Sequence, residues 1–348
     1  MQREVATNWL VSATYIGNLV IHLFGADELN PAVFIPGVAN AAGQCPTAID
    51  GRAVSLNVNP GAACSTAANT TARRKLTLLN PVEGPKMSYL DAPDWGGTRT
   101  YNGMLLSVQR RMNTRVSFTA NYTWSHCIGN ISIDFLNTNP GGTYTYKIPG
   151  NRAYDRGNCI AENLGADIRH IVNGTALFEM PQFTSHPWLQ RLVGNWRLSN
   201  ILRVRSGDHF NVVSGTDQAL TGGDAAMQRA DQISPAVYGN QCQSDLRKSN
   251  GSCFWIDRSA FAPAGVGKFG NSQIGALQGP GFWTIDAGLS RIFSVTERQH
   301  VEFRAEASNL LNRTNFMDPN GSLINGQFGR LQSANDPRIM QFALKYVF

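Results

Sequence analysis

The last twelve residues, Pro337-Arg-Ile-Met-Gln-Phe-Ala-Leu-Lys-Tyr-Val-Phe348, decide the fold class. Two sets of side chains alternate along them. The apolar and largely aromatic set comprises Met340, Phe342, Leu344, Tyr346 and Phe348, and the set between them comprises Gln341, Ala343 and Lys345. Strict alternation predicts a β-strand whose two faces meet different environments. A soluble sandwich and a membrane-spanning sheet both contain such strands, so the rest of the chain has to decide between them.

The composition favours a sheet protein with long loops. Charged residues make up 16% of the 348 residues, and the chain contains 34 glycines. The sequence has no run of 18 apolar residues, which excludes a transmembrane helix. The net charge of +6 comes from scattered Lys and Arg, without a basic run interleaved with aromatic residues. Nucleic-acid binding is therefore not expected.

Six cysteines fall into three local pairs within loop-like sequence. The pairs are Cys45 with Cys64, Cys127 with Cys159, and Cys242 with Cys253. No histidine stands near them at a spacing typical of zinc ligands. We expect three local disulfides, each stabilising the fold by roughly 3 kcal/mol, and hence an oxidising compartment. The alternative is six free thiols in a cytosolic protein.

Nine segments alternate in the manner of strands. The clearest is Arg115–Trp124, whose even-numbered residues are apolar and whose odd-numbered residues are all polar. A turn at Gly17-Asn18 is expected to separate the first two strands. The nine segments are Val5–Tyr15, Leu19–Phe24, Tyr101–Arg111, Arg115–Trp124, Ile168–Met180, Trp196–Val204, Trp283–Ser290, Val301–Ser308 and Pro337–Phe348.

The lengths of the connections separate the two fold classes. Long regions at about 26–97, 128–166, 208–280 and 313–336 alternate with short or moderate connections. Because successive antiparallel strands reverse direction, every long loop emerges at one end of the sheet, together with all the cysteine pairs. Outer-membrane barrels have this arrangement, with short periplasmic turns and longer extracellular loops. The pattern predicts an all-β, antiparallel transmembrane β-barrel segment with long extracellular loops.

Several motifs occur in a characteristic order. They are Asp167-Ile-Arg-His170 leading to Pro181, Gly194-Asn-Trp196 leading to Ser206-Gly207, Gly267-Lys-Phe-Gly-Asn271 before Leu277-Gln-Gly-Pro-Gly-Phe282, and Phe303-Arg-Ala-Glu-Ala-Ser-Asn-Leu-Leu-Asn312 before Asn315-Phe316. Together they resemble the C-terminal half of a TonB-dependent outer-membrane receptor, most closely the Oar-like branch. The resemblance covers most of the chain, with little support in region 26–97.

The resemblance implies a part of a larger protein. Residues 1–348 would be the C-terminal part of a receptor barrel that closes with 22 strands. Neither a plug domain nor an N-terminal domain is visible, and Met1-Gln-Arg-Glu-Val5 lacks the features of a signal peptide. We therefore expect a fragment, whose open sheet would not make a working pore alone. Contact with TonB would occur only through the missing N-terminal region.

The resemblance also implies partners and a location. The chain would lie in the outer membrane of a Gram-negative type of cell, in contact with its lipid. The terminal strand, with Phe342, Tyr346 and Phe348, would be recognised by the barrel-assembly machinery. The long loops would capture an unidentified small ligand, oligosaccharide or peptide. No nucleic acid, cofactor or metal is expected.

Candidate catalytic and metal-binding residues have simpler explanations. Glu302, Arg304 and Glu306 share the polar face of a strand, where we expect an ion-paired, hydrated wall rather than acid–base catalysis. His126 stands beside Cys127, a combination that could indicate a cysteine nucleophile. We expect instead that Cys127 forms a disulfide with Cys159 and is not catalytic. Three loop carboxylates could bind Ca²⁺ but lack the spacing of a known calcium loop, so solvated charges are expected. They are Asp217, Asp224 and Asp231.

The sequence thus predicts a non-catalytic part of an outer-membrane receptor for TonB-energised uptake. The first alternative is a surface or adhesion protein on the same barrel. The second is a secreted, soluble β-sandwich that binds a ligand such as carbohydrate.

Overall fold

The fold is almost entirely β-structure. A computed structural model describes residues 1–113, 115–130, 146–160, 167–181, 188, 190, 193–223, 228–239 and 254–348. Within these ranges the strands are β1 (Gln2–Ala6), β2 (Trp9–Glu28), β3 (Gln44–Ile49), β4 (Arg52–Asn57), β5 (Asp91–Asn113), β6 (Val116–Gly129), β7 (Gly157–Asn158), β8 (His170–Glu179), β9 (Trp196–Arg205), β10 (His209–Phe210), β11 (Asp231–Gln232), β12 (Phe261–Ala262), β13 (Leu277–Gln278), β14 (Phe282–Ser294), β15 (His300–Ser308) and β16 (Ile339–Val347).

The helices whose bounds fall within the described ranges are short. The short helix α1 spans Lys75–Leu79, and 3-10 turns lie at Thr71–Arg73, Gly84–Lys86 and Arg258–Ala260. None of the helices in the described ranges is long and apolar enough to cross a membrane.

One antiparallel sheet organises the molecule. Its strand order is β1-β2-β5-β6-β8-β9-β14-β15-β16, with β7 attached to β6, so each long strand pairs with its neighbours along the chain. The edge strands β1 and β16 do not pair with each other in the described sheet. The predicted all-β, antiparallel architecture is confirmed. The main path has nine strands, but the first two are Gln2–Ala6 and Trp9–Glu28 and not the predicted Val5–Tyr15 and Leu19–Phe24.

The register keeps two chemically different faces separate across the central part of the sheet. Directly paired residues form an apolar row through Val11, Val108, Ala120, Gly174, Leu202 and Ile285. The next row, on the opposite face, runs through Ser12, Ser107, Asn121, Asn173, Arg203 and Thr284. A slip of one residue in any strand would exchange its two faces, so the burial preference of these rows specifies the register.

The apolar face is not a protein interior. Phe342 and Leu344 expose 64% and 74% of their surfaces, and Phe118 and Phe303 are half-buried. The two larger hydrophobic cores lie instead in the long connections. One core comprises Ile35, Ala39, Cys45, Ile49, Leu56, Cys64 and Leu78. The other comprises Val212, Ala230, Ile256, Ala260, Phe261, Leu277, Leu323 and Phe328.

Connection lengths alternate as the sequence predicted. Long connections at 29–90, 130–169, 206–281 and 309–338 leave one end of the sheet, and shorter ones leave the other, at 7–8, 114–115, 180–195 and 295–299. In the described residues, the two larger cores lie in the long connections and not between two sheets, which does not fit the soluble sandwich considered as an alternative.

The predicted turn at Gly17-Asn18 is wrong. Both residues lie inside β2, where they pair with β5. The first hairpin turns ten residues earlier, at Thr7-Asn8, where Asn8 adopts a left-handed φ of 67°. Gly17 instead leaves room for an aromatic ring, since a Cβ there would approach Cε1 of Tyr15 to 3.1 Å.

The first long connection is shorter than the predicted 26–97. Strands β2 and β5 continue beyond the expected ends and remain paired as far as Glu28 and Asp91. The remaining residues, 29–90, are folded and contain the hairpin of β3 and β4 as well as α1. Composition alone indicated a loop because alanine, asparagine, glycine and proline dominate this region.

Two of the three predicted disulfides are present. Cys45 bonds to Cys64, and Cys127 bonds to Cys159. Cys242 and Cys253 lie outside the described residues, so their pairing stays a prediction. Both observed bonds lie at the long-connection end, and the first is completely buried within the core of residues 29–90.

The Cys45–Cys64 bond should hold the first connection together. Replacing both residues by alanine should destabilise this region by about 3 kcal/mol, because the unfolded loop gains conformational freedom. Hydrogen exchange should then accelerate for amides within 29–90 while amides of β14 and β15 keep their protection. Unchanged exchange within 29–90 would show that the apolar core suffices without the bond.

Candidate functional site

The apolar face carries an aromatic zone near the short-turn end of the sheet. Trp9 and Phe118 meet edge to face with ring centroids 5.3 Å apart, and Trp196 contacts Phe303 at 6.0 Å. The members of this short-turn aromatic zone are Trp9, Phe118, Phe178, Trp196, Phe293, Phe303, Tyr346 and Phe348. Their rings form a belt that crosses most of the sheet.

A second set of amphipathic rings lies nearer the long-connection end. The Tyr122 hydroxyl is 2.8 Å from Nδ1 of His170, and the rings are stacked. The Arg313 guanidinium lies 4.7 Å from the centroid of the Trp283 ring. Between the two aromatic sets the outward side chains are mainly aliphatic, as with Ile285 and Leu289 of β14. Rings with polar partners at both borders of an aliphatic band are typical of a transmembrane β-barrel.

The opposite face is an ion-paired polar wall. Arg197 binds Glu179 at 2.7 Å across neighbouring strands, and Arg203 binds Asp286 at 2.8 Å. Along β15, Arg304 binds Glu302 at 2.6 Å. The expected pairing of charges on this strand is therefore confirmed for Glu302 and Arg304. These exposed pairs contribute little stability individually but suit a hydrated surface.

The two faces together match an established family. The family model described as outer membrane beta barrel domain matches residues 1–341. The chain belongs to this family. Membership places the barrel chain in the outer membrane, as the sequence predicted, and assigns its apolar face to lipid. Among curated proteins, none matches the chain.

The long connections of this barrel chain contact one another and form a folded cap. The loop cap is defined here as the described parts of 29–90, 130–169, 206–281 and 309–338. The N–H of Ala32 donates to the carbonyl of Thr221 at 3.1 Å, linking the first and third connections. The N–H of Val213 donates to the Gly321 carbonyl at 2.9 Å, linking the third and fourth.

A buried ion pair links the second and third connections. Arg229 binds Asp155 at 3.0 Å, and the two side chains expose only 3% and 8% of their surfaces. The guanidinium also lies 3.7 Å from the centroid of the Tyr154 ring and donates to the Tyr154 carbonyl at 2.6 Å. The Tyr154 hydroxyl in turn donates to the carbonyl of Gly270 at 2.6 Å.

Burial dominates the electrostatics of this ion pair. It raises the pKa of Asp155, although the Lys147 N–H donates to the carboxylate at 2.8 Å and Arg229 is adjacent. Burial likewise raises the pKa of the Tyr154 hydroxyl. Both shifts reflect the cost of charge away from water, which the partners reduce but do not remove. The pair therefore fixes the relative position of two connections that are far apart in sequence.

The sequence-predicted candidates have structural roles in the cap. His126 approaches Asn158 with Nε2 to Oδ1 at 3.2 Å, while Cys127 is bonded to Cys159. Asp217 accepts hydrogen bonds from the N–H groups of Thr221 and Gly222, at 3.2 and 2.7 Å.

The possible calcium site finds no support in the described residues. Asp231 accepts from the Asn271 N–H at 2.9 Å, whereas Asp224 lies outside those residues. No group of three potential metal-ligand side chains converges in the described part of the chain.

An open cleft of about 430 Å³ lies in the third connection. Its lining is rich in amides and also includes apolar side chains. The residues are Gln232, Ile233, Ser234, Pro235, Asn271, Gln273 and Ala276. Amide side chains beside small apolar surfaces provide donors and acceptors for a neutral polar ligand. Sequence reasoning missed this cleft because its two sides are about 40 residues apart in the chain.

Charge on the two faces of β6 should have different consequences. Ala120→Arg should destabilise the membrane-inserted sheet by about 2–4 kcal/mol, because the guanidinium would face hydrocarbon. Asn121→Arg, one residue away on the polar face, is the matched control and should change stability little. Urea titration of the chain refolded in lipid vesicles measures both. Equal losses would contradict the assignment of the faces.

Breaking the buried pair should loosen the cap. Arg229→Met leaves Asp155 buried without its cation and should destabilise the cap by about 3–5 kcal/mol. Arg152→Met removes an Arg152–Asp94 pair whose arginine is 52% exposed, and should cost less than about 1 kcal/mol. Hydrogen exchange at the amides of Arg229 and Ala230 distinguishes the two variants. If both variants accelerated exchange equally, the buried Arg229–Asp155 pair would contribute no more stability than the exposed Arg152–Asp94 pair.

Cap stability should depend on pH through Asp155. Since burial raises its folded-state pKa, the folded cap binds this proton more tightly than the unfolded chain. The contribution of Asp155 is therefore fully present below its unfolded pKa of about 4 and falls as pH rises through the folded value. Asp155→Asn should remove this part of the pH dependence of exchange, after correction for intrinsic rates. An unchanged pH profile would assign the dependence to other groups.

Proposed function

We propose that the chain is the wall and mouth of an outer-membrane receptor that imports a ligand by TonB-energised transport, without catalysis. Two features support the proposal. The motifs from Asp167 to Phe316 resemble TonB-dependent receptors of the Oar-like branch. The third long connection contacts each of the other three in a cap at one end of the sheet. The ion-paired face would line the route of the ligand.

The folded state of the loop cap is the observation that best supports ligand capture. Unstructured loops would need no apolar cores of their own, whereas these connections contain two cores and a buried ion pair. A prefolded surface binds a ligand without the entropy cost of ordering a loop. The amide-rich cleft lined by Gln232, Asn271 and Gln273 fits an oligosaccharide or a peptide, because both present neutral donors and acceptors.

The terminal strand is proposed as the element recognised during assembly. Strand β16 forms an edge of the sheet, pairs only with β15 in the described residues, and exposes Phe342 and Tyr346. An edge strand offers unpaired backbone donors and acceptors, to which the barrel-assembly machinery could add a strand. Contact with TonB would require a plug and an N-terminal segment in the same polypeptide.

A surface adhesin on the same barrel is the second candidate. It is favoured by apolar side chains that the cap exposes to solvent, including Val38, Ile233, Val266 and Ile324. Such side chains suit contact with another macromolecule. Sequence encoded in frame upstream of Met1 discriminates the two candidates, since a plug domain there would support transport and another surface module would support adhesion.

Uptake provides the direct test. Cells that produce this chain joined to the plug and N-terminal segment that contact with TonB requires should accumulate labelled oligosaccharides or peptides. Accumulation should stop when TonB is deleted or the proton gradient is collapsed. Replacing Gln232 and Gln273 by alanine should weaken binding to whole cells severalfold, because two amide groups are lost. Gln218→Ala, elsewhere in the same connection, is the control. Binding that is independent of TonB and never leads to accumulation would favour adhesion.

A further inference from the structure

We propose that the lipid-facing surface binds the phosphate group of an anionic phospholipid through Arg3 and Arg110, which stand on either side of Trp9 in the short-turn aromatic zone. This inference depends on the membrane location of the apolar face and not on ligand uptake. It assigns a specific lipid partner to a surface that is otherwise mainly apolar.

Formal charge on the apolar face is sparse and of one sign. Register places Arg3 opposite Val11, Arg110 opposite Trp9, and Arg291 opposite Trp196 and Phe303, all on the face that contains the apolar rows. From Trp9 to Ile21 of β2, and at the paired positions of this face in β6, β8, β9, β14, β15 and β16, there is no carboxylate. All three arginines lie in the half of the sheet near the short turns.

Arg291 has partners within the protein. It is 8% exposed, donates from Nη2 to the carbonyl of Gln190 at 3.2 Å, and lies 4.7 Å from the Phe293 ring centroid. Its charge is covered by the connection between β8 and β9. Arg291 therefore stabilises the rim of the sheet and is not proposed to bind lipid.

Arg3 and Arg110 differ from Arg291 in this respect. Beyond the backbone pairing of their strands, neither guanidinium forms a hydrogen bond or an ion pair with another residue in the described ranges. The Arg110 guanidinium lies 5.5 Å from the Trp9 ring centroid, and Trp9 packs edge to face on Phe118. Two guanidinium groups thus stand beside an aromatic pair on the surface that faces lipid, without a carboxylate to neutralise them.

The spacing of the two arginines suits one phosphate. Val11 and Trp9 are successive outward residues of β2, so their partners Arg3 and Arg110 are offset by one outward position on opposite sides of that strand. Neighbouring strands are about 4.8 Å apart and successive outward residues about 7 Å, which separates the two Cα atoms by about 12 Å. Long side chains can reach a common group over β2 from these positions.

The phosphate of a phospholipid headgroup is an anion that lies at the same membrane depth as Arg3 and Arg110. The phosphate lies at the border of the hydrocarbon, where the belt of tryptophan, tyrosine and phenylalanine is located. Guanidinium groups bind phosphate through two parallel hydrogen bonds, while the Trp9 and Phe118 rings can contact the glycerol and the first methylene groups. An anionic headgroup is favoured over a zwitterionic one, since it brings no cation into competition with two arginines.

The test uses the full chain reconstituted in phosphatidylcholine bilayers. Electron paramagnetic resonance of spin-labelled phosphatidylglycerol and phosphatidylcholine measures how strongly each lipid is held at the protein surface. The native chain should favour phosphatidylglycerol, and the variant Arg3→Gln with Arg110→Gln should lose this preference. The variant with lysine at both positions should retain part of it, because charge is preserved. Inorganic phosphate added at millimolar concentration should not displace the lipid.

Arg111→Gln is the matched control, since strand alternation directs this neighbouring, exposed arginine to the polar face. It removes one charge without touching the lipid-facing surface and should leave the preference unchanged. Heat-dependent electrophoretic mobility verifies that each variant is folded. The proposal is wrong if the glutamine double variant keeps the preference, if Arg111→Gln reduces it equally, or if free phosphate competes with the headgroup.

Discussion

The structure depends on one constraint, the pairing of each strand of the main sheet with the next strand along that sheet. The register of this pairing keeps the two faces apart over its central rows. Hydrocarbon offers no partners for backbone N–H and C=O groups, so the ladder between strands has to satisfy them. The same ladder aligns Val108, Ala120 and Gly174 in one row and Ser107, Asn121 and Asn173 in the next. The same hydrogen bonds between strands thus pair the backbone N–H and C=O groups and keep the lipid-facing side chains apart from the water-facing ones.

A sheet that faces lipid on one side has no need of a core behind it, which explains where the cores lie. Apolar side chains such as Leu344 remain exposed because lipid is their partner. The connections emerge into water and must bury apolar groups among themselves, as Ile35 and Ile256 do. Water also permits the buried Asp155–Arg229 pair, whose two residues come from different connections. The cap is therefore stabilised by apolar groups buried within the protein, whereas the apolar face of the sheet is stabilised by contact with lipid.

The sequence predicted the strands and the local disulfides, which depend on alternation and on short spacing. It did not predict contacts between residues that are far apart in the chain. The period of two identified the strand through Phe118 and Tyr122, and local spacing identified the bonded pairs of Cys45 and Cys127. Gly17-Asn18 was mistaken for a turn because glycine and asparagine are typical of turns, whereas Gly17 accommodates the Tyr15 ring. Nothing in the sequence relates Asp155 to Arg229, because their contact depends on how two folded connections pack.

The two ends of the sheet differ because antiparallel pairing sends the long connections to one end and the short turns to the other. With each strand reversing direction, alternate connections share an end, so long connections accumulate as a cap and short turns remain at the other border. The short-turn border, where the aromatic zone lies, has the shorter connections. Unpaired arginines such as Arg110 can persist there, since lipid headgroups and water can both reach them. The same asymmetry places the proposed ligand capture at the cap and the proposed lipid contact at the opposite border.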